Sequence, residues 1–208
     1  MKLKRFIVWF YIIGAIGTVF PLTRDLFLLI TPFALLMNIG LLAKEDKNRS
    51  IKAIIVFALI YLLGFFVEML GVNSGVIFGE YHYGESLGLK LMNTPLMIGI
   101  NWLMLSYLTM GISRKLVKQG VLKVLLASSL MLVYDLLIEQ NAPFIDYWYW
   151  QNDIIPLQNY IAWFSIALIF NTIIQITKVS VKNSLSSYIF LAQIMFFLII
   201  YIFKIILT

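Results

Sequence analysis

The chain alternates between long apolar runs and short basic clusters, and this alternation leaves few architectures open. A segment that crosses lipid must satisfy its backbone hydrogen bonds internally, so each run is read as a helix, and roughly 17–25 residues are enough to cross. Seven runs qualify: Phe6–Leu22, Leu26–Ala43, Ile51–Gly71, Asn93–Ser113, Val121–Gln140, Pro156–Thr177 and Leu185–Ile206. The expected fold is all-α, a polytopic transmembrane helical bundle of about seven spans, forming one integral membrane domain over residues 1–208. The first run is short and the second contains Pro32, so their bounds are the least fixed, and the two together could form a tight hairpin around Pro21–Asp25. Composition agrees with a membrane chain. Hydrophobic residues make up 62% and charged residues 12%, where a soluble domain carries about a quarter charged.

The basic residues give the sidedness. Of 16 Lys and Arg, all but Arg24, Lys90 and Lys204 fall in four places: Lys2, Lys4 and Arg5; Lys44, Lys47, Arg49 and Lys52; Arg114, Lys115, Lys118 and Lys123; and Lys178 with Lys182. Short basic loops stay cytoplasmic, so the N-terminus is expected inside and the C-terminus outside, in the cytoplasmic (inner) membrane. The same scatter argues against nucleic acid as the partner of a chain with net charge +6, because no basic face is built. Met1–Arg5 has the character of a signal n-region, but no small-residue cleavage site follows, and it reads as the head of an uncleaved first span. The chain has no cysteine, which excludes disulfides, thiolate metal sites, cysteine catalysis and cysteine lipidation.

Two outer-side connections are expected to be functional loops: Val72–Met92, rich in Gly and Tyr, and Asn141–Ile155, with four consecutive aromatics and no Lys or Arg. Connections this long commonly carry function. Near them lie three carboxyl groups inside expected spans: Glu68, Asp135 and Glu139. Ionisable groups in a membrane are costly and mark function by default. Asp135 and Glu139, four residues apart, share one helix face. Two carboxyls close together in a low-dielectric site do not both ionise readily, so one retains a proton and can act as a general acid. The bland reading makes Glu139 interfacial and Asp135 a helix-to-helix hydrogen bonder. Likewise Tyr147–Trp150 and Trp163 fit an interfacial aromatic belt, though such rings also stabilise cations.

Other chemistries fit less well. His82 is the only histidine, so no transition-metal site is expected. No Gly-x-Ser-x-Gly elbow supports a serine hydrolase. Asp135-x-x-x-Glu139 could be half of a magnesium site in a prenyltransferase, but Lys90 is the only cation in the two loops to hold a diphosphate.

The ordered set Gly75-x-x-Phe78-Gly79-x-Tyr81-x-Tyr83, Leu87-Gly88, Pro95 and Trp102, followed by Asp135, Trp148-x-Trp150 and Pro156-x-x-Asn159-x-x-x-Trp163, resembles the membrane carotenoid-biosynthesis hydratases. These are the bisanhydrobacterioruberin hydratase and gamma-carotene 1',2'-hydratase types, and the resemblance covers roughly residues 63–170. The chain departs from the family at Ile77, where Pro is frequent, at Glu139, where Asp-Pro follows the first Asp, and at Ile155, where Gly is common. The resemblance implies a hydro-lyase that adds water across a terminal isoprenoid double bond (C1,C2) of an acyclic carotenoid end. Asp135 or Glu68 would be the acid, and the remaining carboxyls, Glu139 included, would orient water. Tyr81, Tyr83, Trp102, Trp148, Trp150 and Trp163 would line the polyene end, with Glu80, His82, Asp146 and Asn159 as further binding residues. No cofactor or metal is implied. The implied partners are lycopene, gamma-carotene or a related polyene, membrane lipid, and other carotenoid enzymes. A lycopene-cyclase-like enzyme would use the same acid but trap the cation with the substrate's own double bond. A proton-coupled transporter is the non-enzymatic rival, against which no internal duplication is visible. A membrane scaffold is the remaining one.

Overall fold

The computed structural model describes residues 2–46 and 50–207, so Met1 of the expected n-region and the basic loop residues Lys47 and Arg49 lie outside the described residues. Among the described residues, eight α-helices follow in order: α1 Lys2–Val19, α2 Arg24–Leu29, α3 Thr31–Glu45, α4 Ile51–Ser74, α5 Leu96–Leu116, α6 Gly120–Glu139, α7 Leu157–Thr177 and α8 Ser186–Leu207. Four short strands interrupt them: β1 Tyr81–Tyr83, β2 Lys90–Leu91, β3 Thr94–Pro95 and β4 Trp148–Trp150. Among the described residues, five helices are long and apolar enough to cross a membrane, α4 to α8. Their bounds lie within three residues of those expected, and one of the shifts has a clear physical cause.

That shift is at α5. The expected start at Asn93 is displaced to Leu96 because Met92 and Asn93 both take positive φ, 50° and 64°. They form the two-residue turn of a β2–β3 hairpin that pairs Lys90 with Pro95 and Leu91 with Thr94. Positive φ at both turn positions is the type I′ geometry that matches the twist of paired strands.

The expected second span, Leu26–Ala43, is not one continuous helix. It breaks at Ile30 into α2 and α3, with Pro32 in the first turn of α3. A proline's missing N–H is harmless at a helix start and disruptive inside one, which fixes where the break falls. The first run also differs: α1 begins at Lys2 and ends at Val19, leaving Phe20–Thr23 as the turn into α2.

α5 sits at the centre, packed against α3, α4, α6, α7 and α8. Within its apolar window 72% of residues are buried, against about a third in the other four spans, yet its hydropathy is the lowest of the five. The two facts have one cause. When lipid is the solvent, the outer faces must be apolar, and polar side chains are drawn inward. Asn101, Ser106, Thr109 and Ser113 are all buried on α5, while large aliphatic side chains such as Ile55, Leu122 and Ile161 point outward.

Candidate functional site

α4 starts with a cap, Ser50 Oγ accepting from the Ala53 N–H at 3.2 Å, and ends at Gly75, whose φ of 67° suits a residue without a Cβ. Glu68 lies on its C-terminal half, 3% exposed. Asp135 and Glu139 lie on the last turns of α6, 0% and 3% exposed. The polypeptide surrounds these groups with donors through a small β-ribbon. β1 and β4 pair antiparallel, with Tyr81 opposite Trp150, His82 opposite Tyr149 and Tyr83 opposite Trp148. Side chains alternate across a strand, so the two outer residues of each triplet turn inward and the middle ones turn out. His82 and Tyr149 accordingly stack on the exposed face, ring centres 5.3 Å apart.

The inward four are all donors to carboxyl oxygens. Tyr81 and Tyr83 hydroxyls donate to Glu68 Oε2 at 2.8 and 2.7 Å, and Trp102 Nε1 donates to its Oε1 at 2.9 Å. Trp148 and Trp150 indoles donate to Glu139 Oε2 at 3.0 and 2.7 Å, and Asn159 Nδ2 to Oε1 at 2.9 Å. Asn159 Nδ2 also reaches Asp135 Oδ2 at 3.3 Å, while Asp135 Oδ1 accepts nothing. Each of these donors is neutral. Burial, and next the Glu68 carboxylate beside them, push the phenols of Tyr81 and Tyr83 well above their usual value, so both remain donors.

Between Glu68 and Glu139 is a cavity of about 10 Å³, walled also by Tyr81, Tyr83, Trp148, Trp150, Asn159 and Trp163, with Phe78 and Ile98 completing it. That is space for roughly one water, which needs two to four polar partners and has them here. No Lys, Arg or His lines it. Among the described residues, no cluster of three or more His, Asp or Glu has metal-holding geometry.

Most residues singled out in the sequence therefore meet at one place: Glu68, Glu139, Tyr81, Tyr83, Trp148, Trp150, Asn159 and Trp163 on the cavity wall. Trp102 stands behind the wall, stacked on Trp163 with ring centres 3.9 Å apart. Asp135 does not line the cavity and touches it through Asn159. Three residues are placed elsewhere. Glu80 is exposed, and its carbonyl accepts from Gln151 N at 3.0 Å. His82 faces outward. Asp146 is a loop clamp: its Oδ2 accepts from the N–H groups of Glu85 and Ser86 at 2.8 and 3.2 Å and from the Ser86 hydroxyl, and Oδ1 accepts from the Tyr149 hydroxyl at 2.9 Å.

Sequence reading missed Ile98 and Gly64. Ile98 is one apolar residue in an apolar helix and carries no signal. Gly64 did carry one: Gly64, Glu68 and Gly71 recur at i, i+4 and i+7, one helix face with the carboxyl between two small residues. A Cβ at Gly64 would lie 2.7 Å from Trp102 Cβ, so only glycine lets α5 bring that indole against Glu68.

Residues 25–208 match the family described as carotenoid biosynthesis protein. No curated protein and no solved structure matches the chain.

Proposed function

Because this chain belongs to the carotenoid biosynthesis protein family, we propose that it is a carotenoid hydratase, adding water across the terminal isoprenoid double bond of an acyclic carotenoid end such as that of lycopene or gamma-carotene. The observation that carries the reading is the water-sized cavity held between two carboxyl groups and walled by tyrosine and tryptophan rings. Three buried carboxyl groups with only neutral donors do not all carry charge. Glu68 and Glu139 each receive three hydrogen bonds, which favour the anion, and Asp135 receives one. Asp135 and Glu139 both accept from Asn159 Nδ2 and lie one helix turn apart, so repulsion between their charges leaves one proton between the two, and Glu139 is the member of this dyad facing the cavity.

The chemistry then runs as follows. Glu139 delivers the dyad's proton to the less substituted alkene carbon, and the double bond's electron pair forms the new C–H bond, leaving a tertiary carbocation. The faces of Trp148, Trp150 and Trp163 stabilise that cation, each by roughly 0.5–2 kcal/mol. Water bonds to the cationic carbon, and Glu68 accepts the proton it sheds, giving a tertiary alcohol. When product leaves, a new water returns the proton from Glu68 to the dyad. This differs from the expectation that Asp135 or Glu68 is the acid, because Asp135 acts here through Glu139. No metal or organic cofactor enters the reaction. An isoprenoid end is much larger than 10 Å³, so the β1–β4 ribbon or the wall beside it moves to admit it, as lids commonly do.

The test is expression in cells that accumulate lycopene or gamma-carotene, with mass analysis of the pigments. A product heavier by one water, lost in Glu139→Gln and in Asp135→Asn, supports the hydratase. A pigment of unchanged mass and altered spectrum would replace it with a cyclase, and no new pigment from a folded protein would favour proton-coupled transport.

We also infer seven crossings, α2 and α3 together making one interrupted crossing, with the N-terminus cytoplasmic in the inner membrane. The basic ends of α1, α3 and α5, at Lys2–Arg5, Lys44 and Arg114–Lys115, support it. Because the chain has no native cysteine, single cysteines at Lys118 and at Leu89, which is 82% exposed, test it with an impermeant thiol reagent. Labelling of the second alone in intact cells is expected, and labelling of the first overturns it.

A further inference from the structure

The carboxyl cavity is not the roomiest space near this site. A cleft of about 250 Å³ lies between α1, α3 and α8, on the side where Trp9, Ile13 and Ile30 are exposed. Its α1 wall runs from Phe6 to Thr18, about 18 Å of helix at 1.5 Å per residue. Two observations distinguish it from a gap that lipid fills without selection.

The first is continuity. A smaller void of about 20 Å³ shares Leu35, Tyr134 and Tyr147 with the cleft, and shares Ile98 and Trp148 with the carboxyl cavity. Side-chain rotation at Tyr147 or Trp148 would join the three spaces into one path from the bundle's flank to Glu139. The second is a pair of orphaned acceptors. Asn38 and Gln193 line the cleft at 0% and 3% exposure. Asn38 Nδ2 donates to Tyr11 Oη at 2.6 Å and to the Ala34 carbonyl at 2.9 Å, which fixes the direction of its amide. Gln193 Nε2 contacts Met104 Sδ at 3.6 Å. The amide oxygens of both, Asn38 Oδ1 and Gln193 Oε1, accept no hydrogen bond. Buried acceptors left unmade are costly, and a ligand that carries a donor into the cleft would relieve that cost.

We propose that this cleft holds the chain of an isoprenoid polyene whose end reacts at the carboxyl cavity, and that Asn38 and Gln193 favour a polyene bearing a hydroxyl group. The identity of the reacting end rests on the hydratase reading; the binding of the chain does not.

The experiment uses the full chain in lipid nanodiscs, with an acyclic C40 polyene and its monohydroxy derivative as probes. Binding is read from tryptophan quenching and turnover from product mass. Ala34→Trp fills the cleft from α3. Gly14→Leu fills it from α1, where a Cβ clears the Phe196 ring by 3.6 Å, and stands in if the first variant misfolds. Each is expected to weaken binding of both probes by about tenfold or more, a difference of roughly 1.4 kcal/mol. Wild type is expected to hold the hydroxylated probe about tenfold more tightly, and Asn38→Leu to erase that preference while binding the hydrocarbon at least as well. Glu139→Gln is expected to bind both and convert neither. Polyene binding that ignores the filled cleft, or phospholipid retained there in place of polyene, overturns the proposal, and equal affinity for the two probes overturns its hydroxyl half. Binding sensitive to Ala34→Trp with no water added to any polyene sinks the hydratase reading and leaves the groove standing.

Discussion

At the C-terminal ends of α4 and α6, every oxygen of Glu68 and Glu139 accepts at least one hydrogen bond, and the space between them is about 10 Å³. Beside α1, a cleft of about 250 Å³ is lined mainly by apolar side chains, and two amide oxygens in it accept none. Both regions are built from predominantly apolar helices. In the first, the carboxyl oxygens are satisfied by the protein itself, which fixes their orientation and suits them to direct a proton. In the second they are left open, which suits them to wait for something else. A membrane protein distributes its few polar side chains between these two uses, and the hydrogen-bond partner of each group tells which use applies.

The contrast can be broken most severely at the carboxyl groups. Glu139→Gln and Glu68→Gln keep the shape and remove the acid or the base, and hydration is expected to fall by at least about 10²-fold, measured as product per cell protein. An activity loss matched by a loss of folded protein would instead make these groups structural. Next in size is Gly64→Leu. Its side chain collides with Trp102, and overpacking of this kind costs about 1–3 kcal/mol, seen as a lower unfolding temperature in detergent together with reduced turnover. Trp150→Phe leaves a smaller aromatic ring and deletes the 2.7 Å donor to Glu139. Turnover should fall by about tenfold with stability less affected, since one donor to a buried charged group is at stake. The smallest effect is expected at His82→Ala. The ring is exposed and outside the cavity, so stability should change by no more than about 0.5 kcal/mol and turnover by less than about twofold. A large loss there would mean that the outward face of the ribbon takes part.

The five long spans were legible because periodicity does not matter when both lipid and core are apolar; length and loop charge are enough. Glu68 and Asp135 were legible through the cost of burying a carboxyl group. The break at Ile30 had its sign in Thr31-Pro32, a helix start written inside an apolar run. The ribbon was not legible. Tyr81-His82-Tyr83 and Trp148-Tyr149-Trp150 are three residues each, too short for alternation to stand out, and they pair across 67 positions of chain. For the same reason Asp146 gave no warning of its clamp: its partners, Glu85 and Ser86, are 61 and 60 residues upstream. Glu80 and His82 were drawn in by proximity to Tyr81 and Tyr83, and the strand's alternation turns His82 away.

The two carboxyl cages also bear on how such a chain is made. Glu68 finds its three donors 13, 15 and 34 residues downstream, and Glu139 finds its own 9, 11 and 20 downstream. Each acidic helix is thus followed closely, in order of synthesis, by the segments that will shield it. During insertion, neither carboxyl group has to wait for the far half of the chain; the ribbon, the Trp102–Trp163 stack and the packing of α5 on α6 and α7 then join the two halves. A ribosome delivering this sequence from its N-terminus would assemble the site as two local units and close it last.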